Sequence, residues 1–306
     1  MFGFYGRILN IDLSLQTFAI EPLADEICAS YLGGKGLAAH LLTEFNPPGV
    51  DPLAPENCLI FATGPLGGST IWGSCRYGVF TKSPLTGVFA ESYCGGRTPD
   101  AIDATGFDAI LIRGASRTPT VLTVQPEGVV FHDAEDVWGM ETYAAEDALK
   151  VRFARKKYRK KGAVVIGPAG ENQVRFALIE NDYWRSAGRA GVGTVMGAKR
   201  LKGILFTGDR KRSHADEKGV KAFSKAFMAE FKDHPAANAY RTLGTPMLVK
   251  MTNQASAFPT RYWTKGSYEN WENISAEAVV EKMDPEPHGC GKCFMLCGQL
   301  GTVKEG

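Results

Sequence analysis

The chain has 306 residues, 44% apolar and 22% charged, with a formal net charge of +2; this is ordinary globular composition, and the length suggests about two domains. No apolar run approaches the ~20 residues of a membrane helix, and Arg7 and Asp12 interrupt the N-terminus where a secretory or twin-arginine signal needs an apolar stretch. A cytoplasmic protein with neither membrane nor nucleic-acid partner is expected.

In chain order, Gly6 to Leu13 and Thr17 to Glu21 alternate as two strands around Ser14, Leu15 and Gln16. Pro22 suits the first turn of a helix ended by Gly33 and Gly34. A second helix, Leu37 to Phe45, stops at Pro47 and Pro48. Cys58 to Thr63, Tyr77 to Thr81, Val88 to Ser92 and Ala109 to Arg113 read as strands separated by Gly- and Pro-rich turns. Val121 to Val124 and Val129 to His132 straddle a turn at Pro126 to Gly128, a hairpin signal. A helix over Thr142 to Lys157 leads to strands at Val164 to Gly167, Val174 to Ile179 and Gly203 to Thr207. Strands dominate, and hairpins outnumber strand-helix-strand units, so the class is α+β: a β-sheet-rich N-terminal domain over 1–210, followed by the start of a mainly helical domain over 211–306. No internal repeat stands out. In the second part Asp216 is placed to cap a helix whose Val220, Phe223, Phe227 and Phe231 form a core face. Thr245 to Asn253 and Ser275 to Met283 read as further helices, with an aromatic-rich loop, Tyr262 to Trp271, between them.

Two stretches carry chemistry. Arg185 to Gly197 sets two arginines four apart among Gly188, Gly191, Gly193 and Gly197. Glycines allow close backbone approach, arginine forks suit phosphate or carboxylate oxygens, and a helix starting near Val192 would add amide charge. This reads as a seat for a polyanionic cofactor, against the alternative of a glycine-rich surface turn. It is neither a Walker loop nor a dinucleotide fingerprint, and no strand feeds directly into it. The second stretch is Cys290, Cys293 and Cys297. Three of the seven cysteines lie within eight residues, which points to a metal or redox site; spacing alone leaves zinc, with His288 as fourth ligand, level with an iron–sulfur cluster, and inert thiols as the lesser alternative. The basic run Arg152 to Lys161 reads mainly as a solvated helix end and secondarily as a dock for an acidic electron carrier. His40 and His132 read as structural; Glu171 and Asn172 are candidates to line the site, against the simpler reading of a turn at Pro168 to Gly170.

The order of Gly6 to Leu13, Leu32 to Leu37, Gly64 to Leu66, Arg76-Tyr77, Thr81 to Gly87, Gly95-Gly96, Gly106 to Ala109, Ile166 to Asn172, Arg185 to Gly197 and the cysteine trio resembles the tungsten-containing aldehyde ferredoxin oxidoreductase family. The resemblance implies an oxidoreductase that oxidises aldehydes to carboxylic acids with a bis-pterin tungsten (or molybdenum) cofactor. It also implies a magnesium ion between the pterin phosphates and a [4Fe–4S] cluster that passes electrons to ferredoxin or another iron–sulfur carrier. A homodimer or hetero-oligomer is the expected assembly.

Residue by residue, the resemblance puts Arg76 between cluster and pterin. It gives Gly95, Arg185, Ser186, Gly188 and Arg189 pterin-binding positions, with Ser186 also holding magnesium through its carbonyl. Cys290, Cys293 and Cys297 match three cluster ligands. Tyr93 stands where aldehyde-oxidising members have asparagine in the other magnesium-holding turn; a carbonyl ligand survives that change. The family's fourth cluster cysteine, its Asp-x-x-Gly-Leu motifs and its catalytic residues match nothing up to Gly306, so only a front portion is expected. The alternatives are a non-catalytic cofactor-binding remnant and a member that reduces an acyl thioester.

Overall fold

A computed structural model describes residues 1–154 and 157–303, which form two units: 1–70 with 74–217, and 71–73 with 218–306. The first unit runs β1 (Arg7–Asp12), β2 (Thr17–Pro22), α1 (Asp25–Tyr31), α2 (Gly34–Phe45), β3 (Leu59–Ala62), β4 (Tyr77–Lys82), β5 (Phe89–Cys94), α3 (Thr98–Ala104) and β6 (Ala109–Arg113). It continues with β7 (Thr120–Gln125), β8 (Gly128–Asp133), α4 (Thr142–Phe153), β9 (Lys160–Val165), α5 (Pro168–Glu171), β10 (Ile179–Asn181), β11 (Arg185–Ala187), α6 (Val192–Ala198) and β12 (Leu201–Gly208). The class is mixed α+β.

The strands make two six-stranded sheets, ordered β2-β1-β6-β3-β4-β5 and β8-β7-β12-β9-β10-β11. These are one topology used twice. In each half the first strand pairs antiparallel with the second and parallel with the sixth. The third strand lies antiparallel between the sixth and fourth, and the fifth forms the edge. A seven-residue helix, α3 or α6, follows the fifth strand in each half. The duplication is absent from the sequence reading because the halves share strand patterning rather than residue identity.

Strand alternation sorts side chains into layers. Leu9, Ile11, Phe61 and Val79 of the first sheet meet Leu122, Val124, Val164 and Phe206 of the second. On the outer face of the first sheet, Ile8, Ile60, Phe80 and Leu111 pack under Leu37 and Leu41 of α2. Ala145 and Leu149 of α4 cover Val121, Ala163, Val165 and Leu205 of the second sheet. Each of the larger side chains among these contributes roughly 1.5–3 kcal/mol. The unit is closed by Arg212, whose buried guanidinium donates to Asp103 and Asp108 at 2.6 Å each, to the Gly3 carbonyl and to Thr63.

Several expected boundaries move. Pro22 ends β2 instead of starting a helix, and α1 begins at Asp25. Leu32 and Gly33 take left-handed backbone, and α2 starts three residues before Leu37. The close approach to the Tyr31 carbonyl, 2.2 Å from where a Cβ on Gly36 would sit, explains the glycine there. α4 stops at Phe153; of the expected extension to Lys157, Arg155 and Lys156 lie outside the described residues. The strand expected at Val174 to Ile179 forms only from Ile179 onward as β10, and β9 begins earlier than expected, at Lys160.

The second unit contains α7 (Glu217–Phe231), α8 (Pro235–Leu243), α9 (Met247–Gln254), a 3-10 turn (Trp271–Ile274), α10 (Ala276–Met283) and a short hairpin, β13 (Glu286–His288) and β14 (Gly298–Leu300). Ser275 caps α10, its hydroxyl accepting from the Ala278 amide at 3.2 Å. The expected core face of α7 is an aromatic stripe with no fully buried residue. Phe227 stacks on Phe231 at 4.4 Å and on Trp72 at 5.5 Å, and Phe294 completes the cluster.

Candidate functional site

The edge strands β5 and β11 meet along a seam between the two sheets, and most of the expected site residues lie on it. Tyr93 is the penultimate residue of β5, and Gly95 follows its end. Ser186 is the penultimate residue of β11, and Gly188 follows its end. The two turns are therefore counterparts in the duplicated topology, each leading into a short helix. Arg76 precedes β4, and continuing the register Tyr77↔Cys94 by one residue sets it opposite Gly95. A strand does feed the Arg185 stretch, contrary to expectation: Arg185 and Ser186 are themselves in β11, paired with Asn181 and Glu180.

The turns are built differently. Gly95 and Gly96 are buried, whereas Tyr93, Arg97, Ser186, Gly188 and Arg189 are exposed and Arg185 is half-buried. The Asn181 amide donates to the Gly95 carbonyl at 3.1 Å, and its oxygen accepts from Tyr77 Oη at 2.8 Å and Cys94 Sγ at 2.9 Å. The Asp182 carboxylate accepts from the amides of Arg97 at 2.7 Å and Thr98 at 3.0 Å. Gly96 (φ +104°) has no room for a side chain, since a Cβ would sit 2.2 Å from Asp182 Oδ2. Across the seam, the Arg189 amide donates to Ser92 Oγ at 3.0 Å, and Ser83 Oγ donates to the Ala190 carbonyl at 2.8 Å.

The guanidinium groups of Arg76, Arg97 and Arg189 have no hydrogen-bond or ion-pair partner among the described residues. Arginine carries its charge at any working pH, so these three guanidinium groups present positive charge at this end of the sandwich. Arg97 was not among the expected site residues; the Gly95-Gly96-Arg97 run, so like Gly188-Arg189, is the signal that would have found it. Tyr93 donates to Glu91 Oε2 at 3.0 Å, and Lys35 pairs with the same oxygen at 2.8 Å. Although Tyr93 is exposed as a residue, partial desolvation of its phenol first and Glu91 second push the phenol up to about 12.

Three glycines expected to admit a ligand are packed against backbone instead. Gly191, Gly193 and Gly197 do not open the backbone to a ligand. A Cβ on them would lie 2.1 Å from the Arg175 carbonyl, 2.2 Å from that of Leu178 and 1.9 Å from that of Gly170. They let α6 pack against neighbouring chain, and the Gly193 amide is spent on the Ala177 carbonyl at 3.0 Å. Gly188 alone of the four is exposed.

The cysteine trio lies on the loop joining β13 to β14. None of the seven cysteines is in a disulfide, and Cys290, Cys293 and Cys297 are half-buried, in contrast to the buried Cys28, Cys58, Cys75 and Cys94. Burial pushes the Cys58 thiol up to about 11 and the Cys94 thiol up to about 12, so both are inert. Cys75 is buried, its thiol donating to the Gly96 carbonyl at 3.0 Å, while Arg76 beside it is exposed. Among the described residues no three His, Cys, Asp or Glu side chains are grouped closely enough to hold a metal ion. The loop carries soft donors together without pre-assembling them.

Residues 8–208 match the family profile of the aldehyde ferredoxin oxidoreductase N-terminal domain, and residues 222–306 match that of domains 2 and 3. The chain belongs to the aldehyde ferredoxin oxidoreductase family. It is 38% identical over 304 residues to a tungsten-containing aldehyde ferredoxin oxidoreductase of Pyrococcus abyssi, covering 99% of this chain and 50% of that protein. With the enzyme of the same name from Thermococcus kodakarensis the figure is 36%, with the same coverage. Among solved structures, the active-site complex BamBC of benzoyl coenzyme A reductase bound to 1,5-dienoyl-CoA superposes with a TM-score of 0.83 at 27% identity, over 99% of this chain and 48% of that one. The chain spans about half the length of the curated relatives it matches and corresponds to their N-terminal half.

Other polar groups of this aldehyde ferredoxin oxidoreductase-family chain have structural work. Glu171 accepts from the Gly139 amide and pairs with buried Lys202. His132 bonds Thr123 at 3.0 Å and stacks on Phe153, and His40 stacks on Tyr31. No helix among the described residues is long and apolar enough to cross a membrane.

Proposed function

We propose that this chain forms the cofactor-binding base of an oxidoreductase that oxidises aldehydes to carboxylic acids and passes the electrons to ferredoxin. The observation that carries the reading is the pair of counterpart turns on one seam, flanked by Arg76, Arg97 and Arg189, whose guanidinium groups have no hydrogen-bond or ion-pair partner among the described residues. A cofactor with two equivalent anionic halves fits such a pair. Arg76, Arg97, Arg185 and Arg189 would hold its phosphates, with the Tyr93 and Ser186 carbonyls offered to magnesium and the half-buried cysteine trio to the [4Fe–4S] cluster. When bound, the tungsten (or molybdenum) centre supplies two-electron redox chemistry; the chain binds and orients it and sets the field around it.

Replacing Arg189 by alanine in the whole protein should lower pterin and tungsten content together while leaving the fold intact. Unchanged content in that folded variant would overturn the reading. A second substrate class, an aromatic acyl thioester, is supported by the likeness to the benzoyl coenzyme A reductase complex. Assaying the whole protein with aldehydes and ferredoxin against acyl thioesters and a low-potential reductant separates the two.

A further inference from the structure

The contacts across the seam run in opposite directions. Asn181 and Asp182, at the tip of the β10–β11 hairpin of the second half, hold the turn that follows β5 of the first half. The Asp182 Oδ2 atom accepts three hydrogen bonds: from the amides of Arg97 (2.7 Å) and Thr98 (3.0 Å) and from the Asn181 side chain (2.9 Å). Ser92 of β5 and Ser83, one residue past β4, belong to the first half, and they hold the turn that follows β11 of the second. Each half therefore fixes the other half's turn.

The clamp is itself held in place. Buried Glu146 of α4 accepts from the backbone amides of Asp182 (2.9 Å) and Tyr183 (3.0 Å), while Lys150 balances its charge at 2.6 Å. Asp182 and Tyr183 both have left-handed backbone, at φ +51° and +61°. Non-glycine residues keep that geometry only where their surroundings impose it. Asn181 and Glu146 are fully buried and Asp182 is half-buried, so a partner lost to Asn181 or Glu146 leaves buried polar atoms unpaired.

We propose that Asp182 and Ser92 are reciprocal positioning residues that lock the Gly95 and Gly188 turns into one seat, so that both halves of the bound cofactor are gained or lost together. The inference rests on the cofactor seat proposed above. Neither residue need touch the cofactor. Asp182 acts through the amides of Arg97 and Thr98, and Ser92 acts through the amide of Arg189.

The test uses the whole protein, with pterin and tungsten measured per folded chain for Asp182→Ala, Asp182→Asn, Ser92→Ala and Arg189→Ala. Asp182→Ala and Ser92→Ala should each lower pterin and tungsten in parallel by at least fivefold in protein that is monodisperse and retains its circular dichroism. Asp182→Asn keeps an oxygen acceptor and should recover at least half of the content. If Arg189→Ala depletes the cofactor while folded Asp182→Ala and Ser92→Ala stay fully loaded, the positioning role is wrong and the seat stands. If Arg189→Ala too is fully loaded, the seat itself is wrong. Should Asp182→Ala not fold, Ser92→Ala decides alone, because it removes one acceptor from a strand whose ladder is otherwise intact. A lower melting temperature with unchanged loading would reduce both residues to fold support and overturn the proposal.

Discussion

Replacing Glu180 by glutamine should make the first unit less sensitive to alkaline pH. Glu180 sits in β10, opposite Val165 on one side and Ser186 on the other, and is only 5% exposed. Neither carboxyl oxygen has a well-formed hydrogen bond, and the Thr142 side chain opposes the effect of burial only weakly. Burial first, and then the neighbouring charge of Glu146, raise its pKa from 4.5 to about 8. An acid whose pKa is raised on folding holds its proton more tightly in the folded chain than in the unfolded one. Its contribution is thus fully present below about pH 4.5 and is lost as pH climbs toward 8. Taken whole, such a shift corresponds to about 5 kcal/mol, and relaxation of the hairpin reduces the expected effect to roughly 1–3 kcal/mol. The assay is urea unfolding of wild type and Glu180→Gln at pH 5 and pH 8.5. Groups that titrate identically in both proteins cancel in the difference, and the variant should gain roughly 1–3 kcal/mol on wild type between the two conditions. Parallel pH profiles would show that Glu180 does not carry a buried proton and would refute the argument.

Arg212→Met should destabilise the first unit by roughly 3–5 kcal/mol, because it strands Asp103 and Asp108 in the interior; thermal unfolding followed by circular dichroism measures it, and a loss under ~1 kcal/mol would mean water reaches the pair. Converting Lys157, Lys160 and Lys161 to glutamate in the whole protein should slow association with ferredoxin about tenfold or more, and the wild-type rate should fall as salt rises. Rates insensitive to both changes would leave these lysines as solvated charge. A polypeptide of residues 1–306 should hold no stable four-iron cluster and no stoichiometric tungsten, since its loop offers three thiolates. Anaerobic purification with iron, sulfide and tungsten assays checks this, and about four irons with one tungsten per chain would contradict it.

The strands of the first sheet were legible because their alternation is local: Ile8, Leu9 and Ile11 announce β1 whatever lies beside it. The seam was half legible. Arg185, Gly188 and Arg189 stood out by composition and Ser186 by the resemblance, and all four do lie together on β11 and the turn beyond it. Glycine was ambiguous, however, because absence of a Cβ serves a ligand and a neighbouring carbonyl equally well. At Gly191, Gly193 and Gly197 the neighbour is the protein's own backbone. Asn181 and Asp182 gave no signal at all. Both are residue types common in surface turns, and their meaning comes from partners some 85 positions away, at Gly95, Arg97 and Thr98. The duplicated topology was hidden for a related reason. A sheet order is set by which apolar faces can be buried together, and many sequences satisfy that with no residue in common. What the halves must share is narrower: a fifth strand, a turn whose geometry the opposite half imposes, and a short helix. Gly95 and Gly188 meet that requirement, and they are a pair that only the folded chain brings into correspondence.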